Sequence, residues 1–506
     1  MKKTFSTIKA ILLFLLIFVL SLSAYSTKWA LNTFAFLNFD EIIFQLTSPI
    51  EGTSKEILLS FMSNSLLLSI ICSIVLFFIV HLLLRYFSCD RFNIDVEIFK
   101  KKYDFSIRGK SLKIIFGIFI FIISIIIPFI CLDKIKFIDY VISQFNDSSF
   151  IEDNYVDPRS VNIEFPLNKK NLIYIYAESL ESTFFSEDLG GGDSNNYLEP
   201  LVSLTRNNIN FSDTDKFGGA LSINGTTWTS GALVAHTSGL PLKINGLLFN
   251  EGKFKSMLGN AYTLTNLLHD EGYNQMFMIG SDKDFGNRGI YFEGHGDVEV
   301  YDYYSAINNG KIDDDYFVWW GVEDSKLFEY AREEITNLSL KDEPFNFSLL
   351  TVNTHTVDGY LEDDCDGNFS SNYGNAIYCS SKQIVEFIEW IMDQDFYEDT
   401  TIVLVGDHVS MQEGFYSIDT QRRIYNLFIN SSVDDGDFSN RLFSTMDLFP
   451  TTLASMGVKI DGERLGLGTN LFSDRKTLIE ENGYDFFDKE IEKYSSFYMK
   501  QFVHGK

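Results

Sequence analysis

The stretch T-I-V-L-V-G-D-H-V, residues 401–409, ends in residue types that hold divalent cations. Residues 401–405 are apolar or β-branched and are closed by Gly406, the pattern of a buried strand in a parallel sheet. Asp407 and His408 follow side by side. In open α/β sheets ligands gather outside the carboxyl ends of the strands, and a carboxylate beside a neutral imidazole there suits a metal. The same pair also serves as a turn and a cap, so its meaning depends on company elsewhere. Glu178 directly follows N-L-I-Y-I-Y-A, residues 171–177, and is a ligand or a helix N-terminal acid. Residues 225–241, G-T-T-W-T-S-G-A-L-V-A-H-T-S-G-L-P, set a hydroxyl-rich turn ahead of a helix predicted from Ser230 onward. A hydroxyl in that position is a cap, and it equally suits a nucleophile facing an anion. Thr226, Thr227, Thr229 and Ser230 all stand there.

The elements that must position these groups alternate along the chain. Residues 171–177, 273–279, 345–352, 401–405 and 423–429 read as strands, and 261–271, 381–393 and 447–456 as helices. Such alternation predicts an α/β sandwich around a mostly parallel central sheet, starting near Asn171. Residues 134–170 read as a helical linker, a helix running on from the preceding span and then a polar connector.

The front of the chain differs from the rest. Net charge over 506 residues is −28, which argues against nucleic acid as a partner. Residues 1–133 carry 13 Lys and Arg against 9 Asp and Glu, and the remainder carries 28 against 60. Within that basic front, residues 10–27, 57–84 and 114–132 are apolar runs free of Asp, Glu, Lys and Arg, each close to the roughly 20 residues that span a bilayer. We read 1–133 as a membrane domain with three transmembrane helices, the first retained and not a cleaved signal. Lys2, Lys3 and Lys9 precede the first span, and eight Lys and Arg from Arg85 to Lys113 separate the second and third. By the positive-inside rule both segments face the cytoplasm, which places everything beyond Leu132 outside. The aromatic stretch 29–46 contains Asp40 and Glu41 and reads as an element at the outer membrane surface. Cys72 and Cys131 lie in spans and Cys89 in the cytoplasmic loop, leaving Cys365 and Cys379 as a disulfide pair in an oxidising compartment.

Five ordered motifs, N-L-I-Y-I-Y-A-E-S-L-E, the 225–241 segment, N-T-H-T-V-D-G-Y, N-A-I-Y-C-S-S-K-Q-I and V-G-D-H-V, resemble the membrane-bound phosphoglycerol transferases of the alkaline-phosphatase/sulfatase superfamily. Lipoteichoic acid synthases are more distant relatives in the same resemblance, which extends from about Tyr155 to the C-terminus. It implies a catalytic domain over 171–506 facing the periplasm of a bacterial inner membrane. It also implies a metal site of Glu178, Thr229, Asp407 and His408 holding one Mn²⁺ or Mg²⁺, with Thr229 as nucleophile. His355 would contact the phosphate and carry a proton, and Arg288, in F-G-N-R-G, would bind the phosphate. The neighbour of Arg288 that is aromatic in lipoteichoic acid synthases is here Gly286. The implied partners are phosphatidylglycerol as donor and an envelope glycan, such as a periplasmic glucan, as acceptor.

A sulfatase activity needs a Cys or Ser convertible to an aldehyde in a C/S-x-P-x-R setting, which Thr229-Ser230-Gly231 does not offer. The alternatives are a phosphoethanolamine transferase, whose threonine segment ordinarily carries a Pro-Cys lacking here, and a membrane-anchored glycan-binding protein without activity. The acidic runs 313–315 and 362–364 read as solvated loops.

Overall fold

The computed structural model describes the chain except Met1, residues 35–38, 48–53, Cys89, residues 99–100, 244–256, Asp366, Asn368, Glu413, residues 416–420 and Lys506. The chain divides into two compact units, Met1–Thr33 with Lys55–Asp139, and Phe34–Ser54 with Tyr140–Lys506. The first helices in chain order are α1 (Lys2–Thr33), α2 (Phe39–Thr47), α3 (Lys55–Tyr86, with a π-helical stretch at Met62–Leu67) and α4 (Gly109–Lys134). α1, α3 and α4 belong to the first unit. All three are long and apolar enough to cross a membrane. Ile71 and Phe78 of α3 and Ile118, Phe121 and Phe129 of α4 are each more than half exposed, as surfaces solvated by lipid tails are. α1 and α3 are joined by polar contacts to serines, Ser26 Oγ to Ser65 Oγ at 2.8 Å and Trp29 Nε1 donating to Ser60 Oγ at 3.1 Å. An antiparallel hairpin pairs Arg91–Ile98 with Lys101–Arg108.

Two expectations for this region change. The helix of the third span does not run on into the linker: it ends at Lys134, because Lys136 takes a positive φ of 59°, and short helices Phe137–Gln144 and Phe150–Asn154 follow. The stretch 29–46 is not one surface element. Its first residues extend α1 to Thr33, whereas α2 belongs to the second unit, where Glu41 and Phe44 are buried. An amphipathic segment with two acids reads as a surface segment from composition alone, and only the tertiary partners reveal that its apolar face is covered. The expectation for Cys89 lies outside the described residues.

The second unit is built on a seven-stranded sheet. Its strands are β1 (Asn171–Ala177), β2 (Gly219–Ala220), β3 (Asn274–Ile279), β4 (Glu299–Tyr301), β5 (Phe345–Leu350), β6 (Thr400–Gly406) and β7 (Ile424–Ile429). They lie in the order β2-β7-β6-β1-β5-β3-β4. β1 pairs in parallel with β5 and β6, and β3 with β4 and β5, while β7 runs antiparallel to β6 and β2. Helices α5 (Thr229–Ser238), α6 (Leu264–Asp270), α7 (Asp324–Ser339), α8 (Asn372–Met392) and α9 (Leu448–Ser455) cover the two faces. Alternation along β1 assigns them. Leu172, Tyr174 and Tyr176 share a core with Leu233 of α5, Leu268 of α6 and Phe449 of α9, and Ile173 and Ile175 share the other with Phe328 of α7 and Phe387 of α8. Apolar burial on both faces is why β1 and β6 read as nearly continuous apolar or β-branched runs. α8 begins earlier than residue 381, at Asn372, where the Ser371 hydroxyl accepts from the Gly374 N–H as its N-cap. Cys365 and Cys379 form a disulfide with Cα atoms 5.9 Å apart.

Candidate active site

Strand register builds the site. Ala177 of β1 pairs with Gly406 of β6, so the next residues, Glu178 and Asp407, emerge side by side at the carboxyl ends of the two central strands. Gly406 is required by close approach: a Cβ there would meet the Leu180 carbonyl oxygen at 1.9 Å. Ser179 takes a positive φ of 55° and aims its N–H at Asp407 Oδ1, 2.8 Å away, while the Glu178 N–H donates to Thr351 Oγ1 just past β5. His408 Nδ1 lies 2.8 Å from the Val409 carbonyl. A carbonyl only accepts, so Nδ1 holds a proton, and in the neutral ring Nε2 presents its lone pair; Asp407 and Glu178 raise the pKa of this imidazole. That Nε2 lies 3.6 Å from Glu178 Oε1 and 3.4 Å from Asp407 Oδ2.

These three side chains are at most 4% exposed, and their ligand atoms all lie within 4.8 Å of one another. Asp407 Oδ2 has no hydrogen-bond partner among the described residues although it is buried. Burial, and then Glu178, push the Asp407 pKa up to about 7. Two buried carboxylates facing an imidazole lone pair, one with an orphaned oxygen, form a donor set that fits a divalent cation. Among the described residues no other group of His, Cys, Asp and Glu converges in this way. The acidic loop at 362–364 has a structural use instead, since Glu362 Oε1 accepts from Asn353, Gln383 and the Ser325 N–H.

Thr229 is the first residue of α5, and the N-cap is Trp228, whose side chain makes no cap. The hydroxyl is therefore free of the capping role. It lies 3.5 Å from Glu178 Oε2 and 3.4 Å from His408 Nε2. α5 ends at Gly239, left-handed at φ 64°, whose N–H returns to the Ala235 carbonyl. Ser230 is turned away and donates to the Gly286 carbonyl at 2.7 Å, and Thr226 Oγ1 donates to the Ile223 carbonyl at 2.9 Å.

Arg288 opens the short helix Arg288–Glu293 and is 8% exposed. Its guanidinium donates to the Phe285 carbonyl, Ser281 Oγ and the Asp282 carbonyl at 2.8–3.2 Å. Burial pulls its pKa down to about 10, with Glu178, Asp282 and Asp407 holding it up, so it stays charged at neutral pH. His355 Nδ1 donates to the Thr356 carbonyl at 2.6 Å, leaving Nε2 unprotonated. Its ring lies 4.5 Å from that of Trp320. The residue is half-buried, and desolvation pushes its pKa down to about 4, so the ring is neutral at neutral pH.

The six residues that the resemblance assigns to the site thus lie in one neighbourhood. Glu178, Thr229, Asp407 and His408 are in direct contact, and Arg288 and His355 are within electrostatic reach of Asp407. Residues that sequence reasoning missed are Ser179, Trp320 and Glu41. The backbone conformation of Ser179 leaves no sequence signal, and the Trp319-Trp320 doublet is a signal only of burial. Glu41 lies in α2, 4% exposed and within electrostatic reach of His408.

This fold and site define a class. The sulfatase family model matches residues 170–458, and the chain belongs to that family. Among curated relatives, phosphoglycerol transferase I of Xanthomonas euvesicatoria pv. vesicatoria is 29% identical over 318 residues, 61% of this chain and 43% of that protein. Phosphoglycerol transferase I of Salmonella choleraesuis is 28% identical over 318 residues, 61% of this chain and 40% of that one. The chain spans less than half the length of these relatives. Among solved structures, a Vibrio parahaemolyticus protein of the alkaline phosphatase superfamily aligns with TM-score 0.51 and 22% identity over 64% of this chain and 76% of that one. Lipooligosaccharide phosphoethanolamine transferase A of Neisseria meningitidis, an integral membrane protein, aligns with TM-score 0.52 and 13% identity over 88% and 84%. At these identities the two structures establish the fold alone.

Proposed function

We propose that this chain is a phosphotransferase that moves phosphoglycerol from phosphatidylglycerol to a hydroxyl of a cell-envelope glycan, through a phosphoglycerol-Thr229 ester. The observation that supports it is the Thr229 hydroxyl, uncommitted as a helix cap and in contact with Glu178 and His408. Glu178, Asp407, His408 and Thr229 would hold one Mn²⁺ or Mg²⁺. When bound, such an ion lowers the pKa of a coordinated hydroxyl and offsets phosphoryl charge.

Thr229 Oγ1 attacks phosphorus, the P–O bond to diacylglycerol breaks, and the Thr229 proton passes to the departing alkoxide. His355, neutral and half-buried, carries protons at Nε2. Arg288, a buried fixed charge, binds the phosphoryl oxygens. The acceptor hydroxyl then attacks the same phosphorus and gives up its proton to His355; the P–O bond to Thr229 breaks, and the departing Thr229 oxygen takes that proton from His355, which returns to its neutral form. The catalytic domain, from residue 171 onward, faces the periplasm of the bacterial inner membrane. The Lys and Arg placement around the apolar helices supports that side, and the disulfide agrees with an oxidising compartment.

Full-length protein with Mn²⁺ and vesicles of phosphatidylglycerol labelled in the headgroup glycerol tests this. Diacylglycerol release and a phosphoglycerol adduct on the peptide containing Thr229 are expected. An adduct on Thr226, Thr227 or Ser230 would refute the nucleophile, and a phosphoethanolamine adduct from mixed lipids would refute the donor.

A further inference from the structure

A groove of about 360 Å³ runs between α1 and α4, wholly within the first unit. Its lining recurs every three or four residues along each helix, so each helix offers it one face. The placement of Lys and Arg sends α1 and α4 outward through the membrane in the same direction. Lys28 directly follows the apolar run 10–27, and Lys134 lies just beyond the run 114–132. Both lysines line the groove, together with Asn32, at its outer end and at the level of the lipid headgroups. Ala24, Ile127 and Ile130 line it one or two turns deeper, in the hydrocarbon.

The outer side of a membrane domain is ordinarily poor in Lys and Arg. Lys28 and Lys55 are the only two in residues 28–56, yet Lys28 shares a groove with Lys134. Both are exposed, neither forms an ion pair among the described residues, and no Asp or Glu among those residues lines the groove. A lone lysine at a helix end is an anchor that snorkels to water. Two that line one groove without an acid repel each other until an anion lies between them, and basic pockets between membrane helices take anionic lipid headgroups. A cationic rim over an apolar trough complements an anionic amphiphile at both ends. An apolar helix of another protein would fill the trough and leave both charges unpaired. A zwitterionic headgroup would bring an ammonium of its own to the rim. Asn32 adds a donor and an acceptor there, which suits headgroup hydroxyls. Ligand pockets start at about 300 Å³, so the groove takes a headgroup and the upper parts of the chains, whose ends stay in the bilayer.

We propose that this groove binds one phosphatidylglycerol molecule of the outer leaflet, with its phosphate at Lys28 and Lys134 and its glycerol at Asn32. This rests on the outward course of the two helices and on phosphatidylglycerol as the donor, and it adds a holding site for that donor within the membrane unit.

The test uses full-length protein in vesicles of dioleoylphosphatidylcholine that contain phosphatidylglycerol with a diazirine in its upper acyl chain. Photolabelling should map to residues 24–32 and 127–134. Unlabelled dioleoylphosphatidylglycerol should displace the probe, and dioleoylphosphatidylethanolamine should not. The double variant Lys28→Gln with Lys134→Gln should lower probe affinity about 10- to 30-fold, the share that two lysines near a membrane surface supply, with melting temperature retained. Lys28→Arg with Lys134→Arg keeps both charges and should stay within about threefold of wild type. If the double Gln form does not melt cooperatively, each single Gln form is measured, with a loss of about fivefold expected. Equal displacement by the ethanolamine lipid, tighter binding of cardiolipin, unchanged affinity in the Gln variants, or cross-links from these residues to a second polypeptide would each overturn the inference. With Mn²⁺ present, the Gln variants should also show a raised KM for phosphatidylglycerol at unchanged kcat. Specific labelling of both helices without any turnover would uphold the groove and refute the reaction, so the two failures are told apart.

Discussion

Thr229 shows how a residue changes meaning with its surroundings. A threonine at a helix start is ordinarily a cap, but here the N-cap position falls on Trp228 and the Thr229 hydroxyl faces a carboxylate and an imidazole. Thr229→Ala removes no cap, and its effect on stability should stay within about 0.5 kcal/mol, as for substitutions away from stabilising features. Its turnover should fall by orders of magnitude, because the covalent route is gone. Comparing melting temperature with diacylglycerol release separates the two, and wild-type turnover would refute the role. Asp407 makes the complementary case. Its Oδ1 is held by the N–H groups of Ser179 and His408, and its buried Oδ2 has no hydrogen-bond partner among the described residues. Asp407→Asn should abolish Mn²⁺ binding in calorimetry. Chelation should abolish wild-type activity and Mn²⁺ or Mg²⁺ restore it, whereas full activity with zinc and none with either of those ions would contradict the assignment.

At the scale of the element, α5 joins chemistry to folding. Its first residue is Thr229, and two turns on, His236 is fully buried with Nδ1 3.1 Å from the Tyr174 hydroxyl of β1. Burial pushes the His236 pKa down to about 3 from its ordinary 6.5. Above pH 6.5 the ring is neutral in both folded and unfolded chains; below it the unfolded chain takes up a proton that the fold refuses. Stability contributed by the neutral ring is thus lost as pH falls from 6.5 toward about 3. Against His236→Gln, wild type should lose about 2 kcal/mol in relative stability between pH 6.5 and roughly pH 5, read from urea unfolding. Parallel pH profiles would refute this. The elements also explain what could be read in advance. β1 and β6 are buried on both faces, so their apolar runs mark strand ends, and Glu178, Asp407 and His408 were legible as residues at those ends. Thr229 was not separable from its neighbouring hydroxyls by composition, since only geometry turns Thr226 and Ser230 toward carbonyls. Glu41 was hidden because two acids in an apolar stretch look solvated until the wall that covers them is known.

At the scale of the molecule, the distribution of cysteines offers a test of sidedness. Cys365 and Cys379 are bridged, so a thiol reagent should reach neither before reduction. In intact cells a membrane-impermeant maleimide should label the chain at Cys365 and Cys379 only after a reductant, and should spare Cys89. Labelling of Cys89 would reverse the orientation inferred from the basic loop. The division of the chain into units carries a further consequence. The unit holding the site is discontinuous: Phe34–Ser54 belongs to it, yet the chain then makes two apolar helices before Tyr140 resumes it. On the ribosome, the segment bearing Glu41 and Phe44 therefore emerges first and must wait, for about 20–90 seconds at about 5–20 residues per second, until the rest of its unit is synthesised. A fragment trimmed to residues 140–506 for the sake of solubility would never receive it. Phe44 would leave its place against Trp228 open, one residue from Thr229, and activities measured on such a fragment would describe a different enzyme from the one the cell assembles.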